Sequence, residues 1–111
     1  MSQGNRRFPR KMLPVQFRAR DSEGSGNLVF EGADLSAGGT FLKSDLLLEE
    51  GEALSVEFRV PGLNRLMRAQ GRIAWVRRFP SEAETAGMGV EFLAMSEEDR
   101  AAIREYLEAL T

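Results

Sequence analysis

The sequence predicts an all-β-dominated fold, a six-stranded antiparallel β-barrel with one C-terminal α-helix. Three observations lead there. Apolar and polar residues alternate with a period of two in six short runs between residues 13 and 92. Polar or glycine-bearing turns separate those runs. Residues 96–110 then change to the period of a helix. Six short strands leave no exposed sheet edge only if they close on themselves, and the apolar stripe of the helix covers one opening.

Residues 1–12 are polar and basic, and Pro9 blocks a continuous helix, so they read as a flexible arm ahead of a barrel-plus-helix unit at 13–111. In the first strand, residues 13–20, Val15, Phe17 and Ala19 alternate with Gln16, Arg18 and Arg20. Residues 21–27 are a turn by composition, 28–33 a second strand, 34–39 a glycine-bearing loop and 40–43 a third strand. The leucine-rich stretch 44–52 fits strand, helical turn or loop equally, and Gly51 ends it. Leu54, Val56, Phe58 and Val60 give the clearest alternation, and Pro61-Gly62 follows as a turn. A long strand at 66–77 runs through Met67, Ala69, Gly71, Ile73 and Trp75, with Gly71 a candidate bulge. After a polar loop containing Pro80, Met88, Val90 and Phe92 form the last strand. Ile103, Tyr106, Leu107 and Leu110 share one helical face. Ser96 with Asp99 resembles a capping box, and Glu97 and Glu98 suit the positive end of the helix dipole.

Composition narrows the function. The 111 residues make one domain and contain no cysteine and no histidine. Disulfides, thiolate nucleophiles, zinc-cysteine clusters, imidazole metal sites and histidine-based catalysis are therefore excluded. No catalytic residue and no metal ligand can be assigned, and the expectation is a protein that is not an enzyme. No apolar run approaches the roughly 20 residues of a membrane-spanning helix, and no apolar stretch follows the N-terminal arginines. A cytoplasmic protein without membrane insertion is expected. The net charge of -2 conceals a split. Residues 1–20 hold six Lys/Arg and no Asp/Glu, a local charge of +6, whereas the other 91 hold nine Lys/Arg and seventeen Asp/Glu, a charge of -8. A basic arm on an acidic body points to an anionic ligand, or to an arm that folds back.

Two short motifs stand out, Arg6-Arg7-Phe8-Pro9-Arg10 before the first strand and Asp34-Leu35-Ser36-Ala37-Gly38-Gly39 after the second. Each alone has an ordinary explanation. Thirteen arginines give about one chance Arg-x-x-x-Arg, and Asp, Ser and Gly are turn residues. In combination, and with this strand order, they resemble the PilZ domain family, bacterial receptors for cyclic di-GMP. That family carries Arg-x-x-x-Arg and, one hairpin later, Asp/Asn-x-Ser/Ala-x-x-Gly. The resemblance continues through residues 71–76 and 87–92 into 96–100, and covers the chain from Arg6 to about Leu110. It implies the same barrel and helix, cyclic di-GMP as ligand with no other cofactor, and a site of Arg6, Arg7, Arg10, Asp34, Ser36 and Gly39. Gly38 and Trp75 are further candidates.

The residue types suit that ligand. An arginine fork binds phosphate and also guanine O6 and N7, and it stacks on purine faces. Asp34 can accept from guanine N1-H and N2-H, a pattern adenine lacks. Ser36 is small and both donates and accepts, and Gly39 permits close backbone approach. The ligand is expected on the outer wall, because side chains fill the interior of a small barrel. Trp75 reads first as a core aromatic and would stack on a base only if it faced outward. The expected mechanism is an ordering switch. The ligand neutralises the arm arginines, folds the arm across the barrel, and an unidentified effector protein reads the new surface. The domain is expected to carry no effector of its own and to be a monomer or a ligand-induced dimer. The alternative is a PilZ-like protein-protein adaptor that binds no nucleotide. DNA or RNA is not expected as a partner, given the acidic body and a pI of 5.3.

Overall fold

A computed structural model of the chain describes residues 11–21, 28–60, 62–79 and 85–110. Arg6, Arg7 and Arg10, and with them the proposed ordering of the arm, lie outside the described residues. Six strands are present, β1 (Lys11–Asp21), β2 (Leu28–Ser36), β3 (Gly39–Lys43), β4 (Ala53–Phe58), β5 (Met67–Arg77) and β6 (Gly87–Ala94), followed by helix α1 (Glu97–Ala109). They form a closed antiparallel barrel in the order β1-β2-β3-β6-β5-β4, with β4 returning to β1. The six-stranded barrel and terminal helix expected from the periodicity are both found. The first strand begins at Lys11, two residues earlier than expected, and β2 runs on through Ser36 instead of ending at Ala33.

The inward series of each strand fills the barrel. Phe17, Leu35, Leu42, Leu54, Val56, Met67, Ile73 and Met88 are fully buried in one continuous cluster. Phe58 packs between Phe17 and Phe92, with ring centroids 4.5 and 5.8 Å away. The leucine-rich stretch of residues 44–49 forms neither strand nor helix. Ser44 Oγ turns the chain by accepting from Leu46 N at 2.9 Å, and Leu47 and Leu48 lie half-buried against the core. Gly51 ends it with φ +90°, a conformation that favours glycine.

Helix α1 closes the end of the barrel where β2 ends and β3 and β5 begin. Ile103 and Leu107 drop into the core cluster. Ser96 caps the helix, its Oγ accepting from Asp99 N at 3.0 Å. The Asp99 carboxylate pairs with Arg65 Nη2 at 2.7 Å, anchoring the first turn to the β4–β5 connection. Arg100 Nη1 donates to Ala37 O at 2.7 Å, so the same turn also grips the β2–β3 hairpin.

One-residue bulges interrupt the ladders. The β2–β3 pairing steps from Gly32↔Leu42 to Asp34↔Phe41, leaving Ala33 extra in β2. The β5–β6 pairing steps from Ile73↔Val90 to Trp75↔Gly89, leaving Ala74 extra in β5. At Gly71, the glycine read as a candidate bulge, the extra residue is Leu93 on the partner strand. Side chains alternate along a strand, so each extra residue moves everything after it to the opposite face.

Two substitutions test the closure. Ser96→Ala is expected to cost about 1 kcal/mol in urea unfolding, the usual loss for a helix cap. Ile103→Ala is expected to cost about 2–5 kcal/mol through the cavity it leaves.

Candidate functional site

The β2–β3 hairpin carries the second motif, and its backbone is held from several sides. Ser36 Oγ accepts from Gly38 N and Gly39 N, both at 3.1 Å, and lies 3.4 Å from Gly39 O. Ser36 is 1% exposed, so its hydroxyl is committed to shaping the turn. Gly38 O accepts from Phe92 N at 2.9 Å and ties the turn to β6. Gly39 is needed for space. A Cβ there would collide with the carbonyl oxygen of Val90 on the neighbouring strand. Neither Gly38 nor Gly39 has positive φ, so the close approach that requires Gly39 is to β6.

Asp34 precedes this turn and faces the outer wall. Phe30 and Gly32 are buried, and strict alternation would send Asp34 inward after them. The bulge at Ala33 sends Leu35 inward instead, fully buried, and leaves Asp34 half-buried on the outside. Asp34 Oδ1 accepts from Phe41 N at 3.0 Å, and Asp34 O accepts from Thr40 Oγ1 at 2.6 Å. These bonds fix the carboxylate at the wall.

The second bulge acts in the same way on Trp75. Its expected place was the core, as the member of the inward series after Ile73. The structure corrects this: the extra Ala74 turns Trp75 outward, 42% exposed, and returns Val76 to the core side. On the wall Trp75 stacks on Phe41, with centroids 5.3 Å apart and planes at 19°. The Arg77 guanidinium carbon lies 5.0 Å from the Phe41 centroid and 5.2 Å from that of Trp75. Its Nη1 also donates to Thr85 O at 3.1 Å. Such cation–π contacts stabilise the rings' orientation by about 0.5–2 kcal/mol. Beneath the rings run Gly87 and Gly89 of β6. A Cβ on Gly87 would strike Phe41, and one on Gly89 would strike Trp75.

The pairings line these residues up. Met12 pairs with Asp34, Asp34 with Phe41, Phe41 with Gly89, and Gly89 with Trp75. This is one row across four strand boundaries. From Asp34 to Trp75 it spans three strand spacings, roughly 14 Å. Lys11 pairs with Leu35, so the chain enters β1 beside the Asp34–Ser36 segment, one residue after Arg10. The row thus sets the first described residues of β1 beside the second motif. Phe41, Arg77, Gly87 and Gly89 were not singled out from the sequence. The Gly-x-Gly at 87–89 and the Trp-x-Arg at 75–77 were the available signals, since alternate residues share a face. Among the described residues, no group of three or more acidic side chains is placed to hold a metal ion, and no helix is long and apolar enough to cross a membrane.

Comparison with known proteins gives a consistent result. No curated relative matches the chain. The Bacillus subtilis inhibitor of motility (MotI/DgrA) superposes with a TM-score of 0.81 at 19% identity, over 95% of this chain and 50% of that one. The chain therefore spans half the length of that protein. The PilZ domain of YcgR from Escherichia coli, solved with c-di-GMP, superposes with a TM-score of 0.70 at 18% identity, over 95% of this chain and 90% of that domain. MrkH, described as a c-di-GMP-dependent transcription regulatory factor, gives 0.72 at 20% identity, over 95% of this chain and 50% of that one. At these identities the neighbours show the fold. The sequence model of the PilZ domain matches residues 4–109, nearly the whole chain, and with it the two motifs and the closed barrel find their common explanation: this chain belongs to the PilZ domain family.

Proposed function

We propose that this chain is a cyclic di-GMP receptor that binds the dinucleotide on the outer wall along the Met12–Asp34–Phe41–Gly89–Trp75 row and signals through a protein partner. The observation that carries this reading is the pairing of Lys11 with Leu35 and Met12 with Asp34. It sets the Arg6-x-x-x-Arg10 segment immediately upstream of the strand that flanks Asp34. The structures of the YcgR PilZ domain with c-di-GMP support the choice of ligand.

In this reading the ligand meets three kinds of group. Arg6, Arg7 and Arg10 supply the positive charge for two phosphates and a guanine edge. Asp34 accepts from guanine N1-H and N2-H. Ser36, Gly38 and Gly39 set the shape of the turn on which the dinucleotide rests. Trp75, held by Phe41 and Arg77, offers a ring face for a base at the far end of the row. Binding neutralises the arginines and orders residues 1–10 across the wall, and that ordered surface is what a partner reads.

Calorimetric titration with cyclic di-GMP, joined to mass determination, gives affinity, stoichiometry and oligomeric state together. Arg10→Ala is expected to weaken binding about ten- to hundredfold, the loss of a charge-assisted contact. Unchanged affinity would show that the site is wrongly placed. Asp34→Asn keeps an acceptor for Phe41 N but gains a donor, so it should weaken binding and narrow the preference over cyclic di-AMP. Trp75 is the sole tryptophan. Its emission should change on saturation with cyclic di-GMP, and in Gly89→Ala, where the new methyl displaces the ring, that response should fall. Equal mobility of the residue 1–10 amides by NMR with and without ligand would end the ordering idea.

A further inference from the structure

We infer that Arg100 of helix α1 is the positioning residue of the dinucleotide turn. It fixes the orientation of the Ala37–Gly38 peptide, and with it the shape that residues 34–39 offer to the ligand. The inference deepens the receptor reading above and rests on it.

Ala37 and Gly38 are the two turn residues between β2 and β3. A two-residue hairpin ordinarily has positive φ at its first central residue, because such turns match the twist of the strands. Here neither Ala37 nor Gly38 has positive φ. The strand twist alone therefore does not select this turn, and bonds from outside the ladder have to hold it. A second shape lies close by. Rotating the Ala37–Gly38 peptide gives a turn with positive φ at its second central residue, and a glycine there meets no steric penalty. The two shapes point the carbonyl and the N–H of that peptide in opposite directions.

Both ends of the peptide are held. Its N–H, that of Gly38, donates to Ser36 Oγ at 3.1 Å, and its carbonyl oxygen, that of Ala37, accepts from Arg100 Nη1 at 2.7 Å. The next peptide is held by Phe92 N on Gly38 O at 2.9 Å and by Ser36 Oγ on Gly39 N at 3.1 Å. Ser36 belongs to the hairpin and moves with it. Arg100 holds the first peptide from outside, 63 residues further along the chain. Its bond is short and charge-assisted, the stronger class of hydrogen bond. Ala37 is 1% exposed, so water does not readily replace the guanidinium there.

The donor stands on a fixed base. Arg100 N donates to Ser96 O at 3.0 Å, and Ser96 Oγ accepts from Asp99 N at 3.0 Å. The Asp99 carboxylate meets Arg65 Nη2 at 2.7 Å. The guanidinium therefore sets where Ala37 O lies and does not follow it. A receptor whose turn spends only part of its time in the competent shape loses apparent affinity by that fraction. Arg100 thus acts on the ligand through the turn.

The test compares Arg100→Gln with two controls on the same helix. Arg104→Gln removes the same charge about one turn further along, and Leu107→Val shrinks a buried side chain near the far end. The readouts are hydrogen exchange at the Gly38 and Gly39 amides without ligand, and calorimetric affinity for cyclic di-GMP. In Arg100→Gln both amides should exchange about tenfold faster and the affinity should fall about tenfold. In both controls the affinity should stay within about twofold of the wild type. Unaltered Gly38 and Gly39 exchange in Arg100→Gln, unchanged affinity in that variant, or an equal loss in either control would each overturn the inference. A wild-type chain that takes up no cyclic di-GMP would overturn the receptor reading, and the hold on the turn is then decided by the unliganded amides alone.

Discussion

Two extra residues, Ala33 in β2 and Ala74 in β5, decide what this barrel shows to solvent. A closed barrel of six strands imposes strict alternation, one side chain into the core and the next outward. A single inserted residue reverses that alternation for the rest of the strand. Ala33 brings Leu35 into the core and leaves Asp34 outside. Ala74 brings Val76 back toward the core and leaves Trp75 outside. Removing either bulge would bury a carboxylate or an indole among aliphatic side chains, and a buried unpaired carboxylate is far too costly to keep. The core and the site are consequently two faces of one packing solution.

The glycines complete it. Gly87 and Gly89 leave the outer face of β6 bare, and the rings of Phe41 and Trp75 fill that space with Arg77 over both. Gly39 allows the hairpin to lie against β6, where Gly38 O meets Phe92 N. The hairpin is gripped from the helix side as well, through Arg100 and Ala37. The start of β1, the Asp34–Gly39 segment and the first turn of α1 therefore meet at one end of the molecule. An anionic ligand there would touch elements from both ends of the sequence, which suits a charge of +6 over residues 1–20 and -8 over the other 91.

Much of the fold was legible in the residues. Val15, Phe17 and Ala19, or Leu54, Val56 and Phe58, alternate without interruption, and all six strands are present, with β1 and β2 longer than the alternation alone gives. The helix carries its own signals, with Ser96 capping and Ile103 and Leu107 on one face. The wall was less legible, for a physical reason. Trp75 continues the series Met67, Ala69, Gly71, Ile73, and nothing local marks the alanine after Ile73 as extra; the bulge exists because β6 pairs Gly89 with Trp75. Asp34 and Ser36 look like loop residues, yet both lie in β2, because the hairpin needs only Ala37 and Gly38 to turn. Asp99 fits a capping box by spacing, but its carboxylate is drawn off to Arg65, which is distant in sequence.

The most direct measurement of where the ligand lies is isotope-filtered NMR on labelled protein saturated with unlabelled cyclic di-GMP. Cross-peaks from guanine H8 and ribose protons to the Trp75 ring and to the amides of residues 34–39 are expected, because the two bulges put those groups on one wall. Cross-peaks confined to the β1–β4 wall, or to any surface that leaves out Asp34 and Trp75, would contradict it.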